Sequence, residues 1–236
     1  MLVTCCLFLV ACGSKENKKA FRIGVDPNWT SINTYGQEKL INGFVEELLA
    51  EIAQENKEVF LRVSANWDSL FDDLHKGRTD AVISSLPAYN FNSARFAFSE
   101  NILDLGPVLV VPVSSSKKIK DLSGKRVGVV EDDKNIFYLS QIPNMIMHAY
   151  PAVPVLLESV ANGELDAALM DRILAVSFVG NLFDKKLKVI EPPLSDFGLH
   201  FVTLKKGEKR IEEFNKSIKK MSRKKRLQEL QKKWNL

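Results

Sequence analysis

The sequence predicts an α/β protein built as two similar lobes, and three observations carry that expectation. One pattern is written twice: "LFDDLHKGRTDAVISS" around Gly77 returns as "VLLESVANGELDAALMD" around Gly163, each with a helix-like run, a glycine and an Asp-Ala pair opening an apolar strand. Strand-like and helix-like segments alternate within each half, as they do where a largely parallel sheet is covered by helices. Two long apolar runs, "GPVLVVPVSSS" and "FGLHFVTL", lie where a chain would pass into a second lobe and come back. A length of 236 residues accommodates two domains of about 100 residues each.

In chain order, "FRIGVD" (Phe21–Asp26) alternates apolar and polar residues and reads as a strand. From Glu38 to Lys57, Leu40, Ile41, Phe44, Val45, Leu48, Leu49 and Ile52 form one helical stripe, and "VFLRVS" returns to strand. Asn66 suits the N-cap of a short helix with Asp68 in its first turn, and Gly77 stops that helix where a left-handed residue is needed. "DAVISS" follows as a buried strand. The second half repeats the order: "RVGVVE" as strand, Asn135–Gln141 as a short helix, "MIMHAY" as strand, Val155–Asn162 as helix, "DAALMD" as strand, then a helical run from Ile173. Ligands of α/β sheets bind beyond the carboxyl ends of strands. The two Asp-Ala strands deliver Ser84 and Ser85 from one lobe and Asp171 from the other, so facing lobes would bring hydroxyls and a carboxylate to one cleft that closes by hinge motion.

Composition narrows the function classes. The chain is 45% hydrophobic and 26% charged, as expected of a body with a packed core, and its net charge of +4 is concentrated in "KKLK", "LKKGEKR" and the C-terminal "KSIKKMSRKKRLQELQKK". Basic residues spaced along a helix read as a solvated face, and without aromatic interleaving they give no nucleic-acid signature. Cys5, Cys6 and Cys12 are the only cysteines, which leaves the body with neither a disulfide framework nor a thiol metal site. His75, His148 and His200 lack ligand spacing, and there is no Walker loop and no HExxH, so no metal or other cofactor is expected.

"MLVTCCLFLVAC" is apolar and uncharged, too short to span a bilayer as a helix, and ends in small residues like a secretory signal. "LVAC" resembles a bacterial lipobox, in which Cys12 becomes the lipidated first residue and "GSKENKK" a tether. The expectation is an extracytoplasmic protein anchored to a bacterial membrane by lipid.

Taken in order, "RIGVDPNW", "GFVEELLAEIA", "WDSLFDDLHKGRTDAVISSL", "FAFSE", "KDLSGKRVGVV", "LESVANGELDAALMD" and the terminal "KKW" resemble the family 3 solute-binding proteins of ABC transporters over nearly all of Phe21–Leu236. The resemblance implies a two-lobed periplasmic-binding-protein-like fold with two hinge crossings. The organisation expected is a signal segment at 1–12, a tether at 13–20, a first lobe of 21–109 plus 198–236, and a second lobe of 110–197. It also implies capture of an amine-bearing solute, most simply a polar or cationic amino acid, by a monomer that works with separate permease and ATPase subunits and has no enzymatic activity. A degenerate site serving as a sensor or adaptor, and a dehydratase on the same fold, are the alternatives.

Carried over position by position, the family's acidic residue after the first strand falls on Asp26, its ligand-covering aromatic on Trp29, its serine turn on Ser84 and Ser85, and its ammonium-binding carboxylate on Asp171. A carboxylate pairs with an ammonium by charge-assisted hydrogen bonds, and an aromatic face covers an aliphatic stem or a cation. The chain departs from the family at two places. The arginine that grips the ligand carboxylate is replaced by Asn92, with Arg95 close by in sequence. The glycine-threonine turn of the second lobe is "EDDKN", which puts Asp132, Asp133 and Lys134 there. Either Lys134 or Arg95 takes over the carboxylate, or Asp26, Asp133 and Asp171 make an acidic cleft for a cation with little or no carboxylate.

Overall fold

A computed structural model describes residues 20–116, 118–131, 136–140 and 142–236. The signal segment, Cys12 and the tether up to residue 19 lie outside the described residues, as do Asp132, Asp133 and Lys134.

The first sheet is built from β1 (Phe21–Val25), β2 (Phe60–Ser64), β3 (Ala81–Ser84), β4 (Phe96–Phe98), β5 (Leu103–Asp104) and the late strand β11 (Gly198–Leu204). Its order is β2-β1-β3-β11-β4, with β5 also pairing β11. The β1 pairings to β2 and β3 are parallel, and β11 runs antiparallel to β3, β4 and β5. The second sheet contains β6 (Pro107–Pro112), β7 (Arg126–Val130), β8 (Ile146–Tyr150), β9 (Ala167–Asp171) and β10 (Leu187–Ile190), in the order β10-β6-β9-β7-β8. The helices of the first lobe are α1 (Glu38–Asn56), α2 (Trp67–His75), α3 (Asn90–Ser93), α7 (Glu208–Arg223) and α8 (Arg226–Lys233). Those of the second are α4 (Ile136–Ser140), α5 (Val153–Ala161) and α6 (Arg172–Phe178).

Both sheets are covered on their two faces, so each lobe has two hydrophobic layers. In the first lobe the stripe read from the sequence is the buried side of α1: Ile41, Phe44, Val45, Leu48, Leu49 and Ile52 are all buried. Phe214 of α7 stacks on Phe201 of β11 at 4.2 Å between ring centroids, which docks the C-terminal helices on the first sheet. Asn66 caps α2 by accepting the Ser69 N–H at 2.9 Å, and Gly77 follows α2 at φ +67°.

The repeated pattern has a structural cause visible in both lobes. Asp80, ahead of β3, accepts the backbone N–H, the Nε–H and an Nη2–H of Arg22, while its own N–H donates to the Arg22 carbonyl. Asp166, ahead of β9, accepts the backbone N–H of Arg126, and its N–H donates to the Arg126 carbonyl. The glycine two residues after each arginine is covered closely: a Cβ on Gly24 would meet Leu70, and one on Gly128 would meet Leu156, at 3.2 and 2.2 Å. The shared Gly-x-x-Asp-Ala spacing therefore stops a helix and fastens the next strand to the parallel strand that carries the arginine, β1 in one lobe and β7 in the other.

Two segments join the lobes. β6 pairs within the second sheet from Pro107 onward, so the first crossing is Leu105–Gly106. This is earlier than the 109/110 division expected from sequence, because the apolar run "GPVLVV" carries no mark of where its pairing partners change. The second crossing runs from the end of β10 to the start of β11 at Gly198. α5 starts at Val153, two residues before the expected Val155, with Pro154 in its first turn where no N–H is needed.

Candidate ligand-binding site

Between the lobes lies a cavity of about 540 Å³. The loop after β3 (Pro87–Tyr89) forms one wall and Phe137 and Tyr138 of α4 the other. The floor comes from the two crossings and from Asp171 and His200. Among the described lining residues the carboxylates of Asp171 and Asp196 are present and neither lysine nor arginine is, so the described walls are acidic and aromatic.

Asp171 is the last residue of β9 and stands immediately before α6, with only 8% of its surface exposed. Its Oδ2 accepts the phenol O–H of Tyr35 from the opposite lobe at 3.2 Å. His200 sits on β11 beside the cavity, and its Nδ1 lies 2.8 Å from the Ser99 carbonyl oxygen. Donation from Nδ1 leaves Nε2 as the acceptor of the neutral ring. Burial pushes the His200 pKa below the usual imidazole range, partly offset by the Ser99 bond and by the charges of Asp196 and Asp104.

Several residues singled out from sequence are not among those lining this cavity. Asp26 turns its carboxylate on its own loop: Oδ1 accepts the Asn28 N–H at 3.0 Å and Oδ2 the Thr30 N–H at 2.8 Å. Its charge stabilises the turn after β1, as acidic residues in such turns do. Trp29 is 2% exposed and packs in the first lobe's core. The aromatic surface of the cavity comes instead from Tyr89, Phe137, Tyr138 and Phe197.

Ser84 accepts the Leu86 N–H at 3.0 Å through Oγ, and the Ser85 Oγ is 2.8 Å from that of Ser31. Asn92 is buried, and its Nδ2 donates to the Pro87 carbonyl at 2.8 Å. These three side chains therefore fasten the Pro87–Tyr89 loop that lines the cavity. Arg95 is exposed and stacks its guanidinium over Phe96 at 5.4 Å, away from the cavity lining. Asp133 and Lys134 lie outside the described residues.

Tyr89, Phe137, Tyr138, Asp196, Phe197 and His200 line the cavity and were not singled out from sequence as site residues, nor was Tyr35, which reaches Asp171 from outside the lining. Their one legible signal was position: Tyr89 and Phe137 are aromatics in segments that follow strands, where loops carry binding residues.

Among known proteins, the chain is 23% identical over 218 residues to a probable histidine-binding protein of Neisseria gonorrhoeae, spanning 86% of this chain and 81% of that one. In structure it resembles the L-cystine solute receptor of Neisseria gonorrhoeae in its unliganded open conformation. The TM-score is 0.70 at 17% identity, over 92% of this chain and 93% of that one. It also resembles an ancestral cyclohexadienyl dehydratase, with a TM-score of 0.71 at 15% identity over 92% of each. Both structural likenesses show the two-lobed periplasmic-binding-protein fold. Residues 21–236 match the bacterial extracellular solute-binding proteins, family 3, and the chain belongs to that family.

Proposed function

We propose that this protein is the extracytoplasmic solute-binding component of an ABC importer and captures an amino acid with a cationic or aromatic side chain between its lobes. The observation that carries this reading is the cavity itself, with Asp171 and Asp196 as its described charges and aromatic rings as its walls. The Asp171 carboxylate receives the ligand ammonium, where partial exclusion of water strengthens the pairing. Tyr89, Phe137 and Tyr138 cover the side chain, through apolar contact or by facing a cation. With Asn92 committed to Pro87, the first lobe offers no guanidinium at the family's carboxylate-gripping position. For the ligand carboxylate we propose Lys134, the cation that the segment "EDDKN" supplies.

The relative from Neisseria gonorrhoeae, named for histidine, supports an amino-acid ligand. The ancestral dehydratase supports the fold alone, and the reading here is binding without turnover. Cys12 is proposed as the lipid attachment point on the strength of "LVAC". Among the described residues no helix is long and apolar enough to cross a membrane. Delivery is to separate permease and ATPase subunits by a monomeric binding protein.

A thermal-shift screen over the common amino acids, cystine and polyamines tests the reading, since a ligand that binds only the native state raises the melting temperature. The expected result is a clear shift with L-histidine, L-arginine or an aromatic amino acid. Replacing Asp171 by Asn should weaken that ligand about tenfold to a hundredfold, the worth of a charge-assisted hydrogen bond. Unchanged affinity in Asp171→Asn refutes the assignment. A shift with polyamines alone would favour a carboxylate-free cation, the reading that the Asn92–Pro87 bond also supports.

A further inference from the structure

Between β1 and α1 the chain makes a turn whose purpose is not explained by the core. Thr34 is buried and its hydroxyl bonds the Glu38 carboxylate at the start of α1. The Asn33 side chain accepts the Tyr35 N–H at 3.2 Å, and the Gln37 N–H donates to the Thr34 carbonyl at 2.9 Å. Held on both sides, Tyr35 adopts φ +51° and Gly36 φ +82°. A left-handed backbone is unfavourable for a bulky L residue, and an outlier of this kind persists only where its surroundings impose it. What it achieves is projection: the Tyr35 ring leaves its own lobe, stays 41% exposed, and places its hydroxyl on Asp171 of the other lobe. Gln37 crosses from the same turn to the Ser177 Oγ of α6 at 3.3 Å.

Asp171 is the carboxylate assigned above to the ligand ammonium, and the inference rests on that assignment. Asp171 lines the cavity and its Oδ2 already accepts the Tyr35 O–H, so a ligand ammonium and the phenol draw on the same carboxylate. We propose that Tyr35 is an internal occupant of the ammonium position: in the empty protein its O–H takes the Asp171 carboxylate, and a ligand binds by displacing it. Tyr35 then determines affinity and selectivity together. A ligand must bring a donor better than a neutral phenol, which an ammonium is and an uncharged amide or hydroxyl is not. The observed affinity equals the intrinsic one multiplied by the fraction of molecules in which the phenol has withdrawn.

The test compares the wild type with Tyr35→Phe, which keeps the ring and removes only the donor. L-histidine and L-arginine binding are measured by calorimetry, and amide hydrogen exchange of Arg172–Phe178 is followed without amino acid. The expected result is faster exchange in that helix and binding about three- to tenfold tighter, the range a competing neutral hydrogen bond represents. Gln37→Ala, which loosens the same crossing without touching Asp171, should speed exchange and leave affinity as it was. Equal or weaker binding by Tyr35→Phe overturns the proposal, because the phenol would then share the site or support it. Unchanged exchange overturns it as well. If neither amino acid binds either protein while exchange still quickens, the ammonium assignment has failed. The affinity role of Tyr35 then falls with it, leaving only a tie between lobes.

Discussion

The two crossings meet at Gly106, and replacing it with alanine tests whether the hinge is held by backbone packing. A Cβ at Gly106 would lie 2.6 Å from the Ser195 Oγ, 2.7 Å from the Ser195 carbonyl oxygen and 3.2 Å from the Pro193 Cβ, all on the second crossing. Gly106 is not in the left-handed region, so alanine suits its backbone and by that criterion alone would stabilise by about 0.4–1 kcal/mol through the unfolded chain. Steric overpacking opposes this at about 1–3 kcal/mol, and the carbonyl contact cannot be relieved by turning a side chain. The net expectation is a loss of about 1–2 kcal/mol. For a chain of this size that lowers the melting temperature by about 2–8 °C. Thermal unfolding of wild type, Gly106→Ala, Ser195→Ala and the double variant reads it directly. The Ser195 Oγ is buried without a hydrogen-bond partner among the described residues, so Ser195→Ala alone should be close to neutral. In the double variant the Oγ contact is gone and the carbonyl contact remains, so recovery should be partial. An unchanged or raised melting temperature in Gly106→Ala, or full recovery in the double variant, refutes backbone packing at the hinge.

Two further outcomes follow from the same coordinates. Gly43→Ala lies inside α1, where helix propensity favours alanine by about 1 kcal/mol, yet its Cβ would fall 2.2 Å from the Trp234 ring. Trp234 is tethered through Nε1 to Glu47 at 3.0 Å, so the urea midpoint should fall, and a rise would show that the ring yields freely. His200, held neutral by burial, binds fewer protons folded than unfolded as pH falls below about 6.5. Its contribution is complete above that value and is lost as pH drops toward the depressed folded pKa. The wild type should thus lose stability over this interval more steeply than His200→Gln, and parallel curves would show that the imidazole does not contribute.

The fold was legible because it rests on periodicity and punctuation. The α1 stripe, the Asn66 cap and the Gly77 stop are local signals, and the structure shows each of them directly. The repeat was legible as a pattern before its cause was known: Asp80 and Asp166 fasten Arg22 and Arg126, and pairing over so long a separation leaves no local trace. The first crossing was placed late for a related reason. Val108–Val111 are as apolar as a hinge strand or a sheet centre requires, and only the partner strands distinguish the two.

The site was legible as a place more than as a set of side chains. Position in a motif fixes where a Cα sits relative to a strand end, but side-chain direction depends on the turn that carries it. Trp29, which the resemblance sets at the family's aromatic position, is buried in the core. Asn92, which the resemblance sets at the arginine position, donates to the Pro87 carbonyl. Asn92 and Asp26 still act on the cavity at one remove. Asn92, Ser84 and Ser85 fix the loop from which Tyr89 protrudes, and the Asp26 turn opens the segment that ends in Tyr35. In the first lobe the aromatic contact with the cavity comes from a loop, at Tyr89, and the residues at the strand end support that loop. On this reading selectivity should be altered more by exchanging Tyr35 or Tyr89 than by restoring an arginine at position 92. A long cation there would have to displace the amide that holds the loop in place.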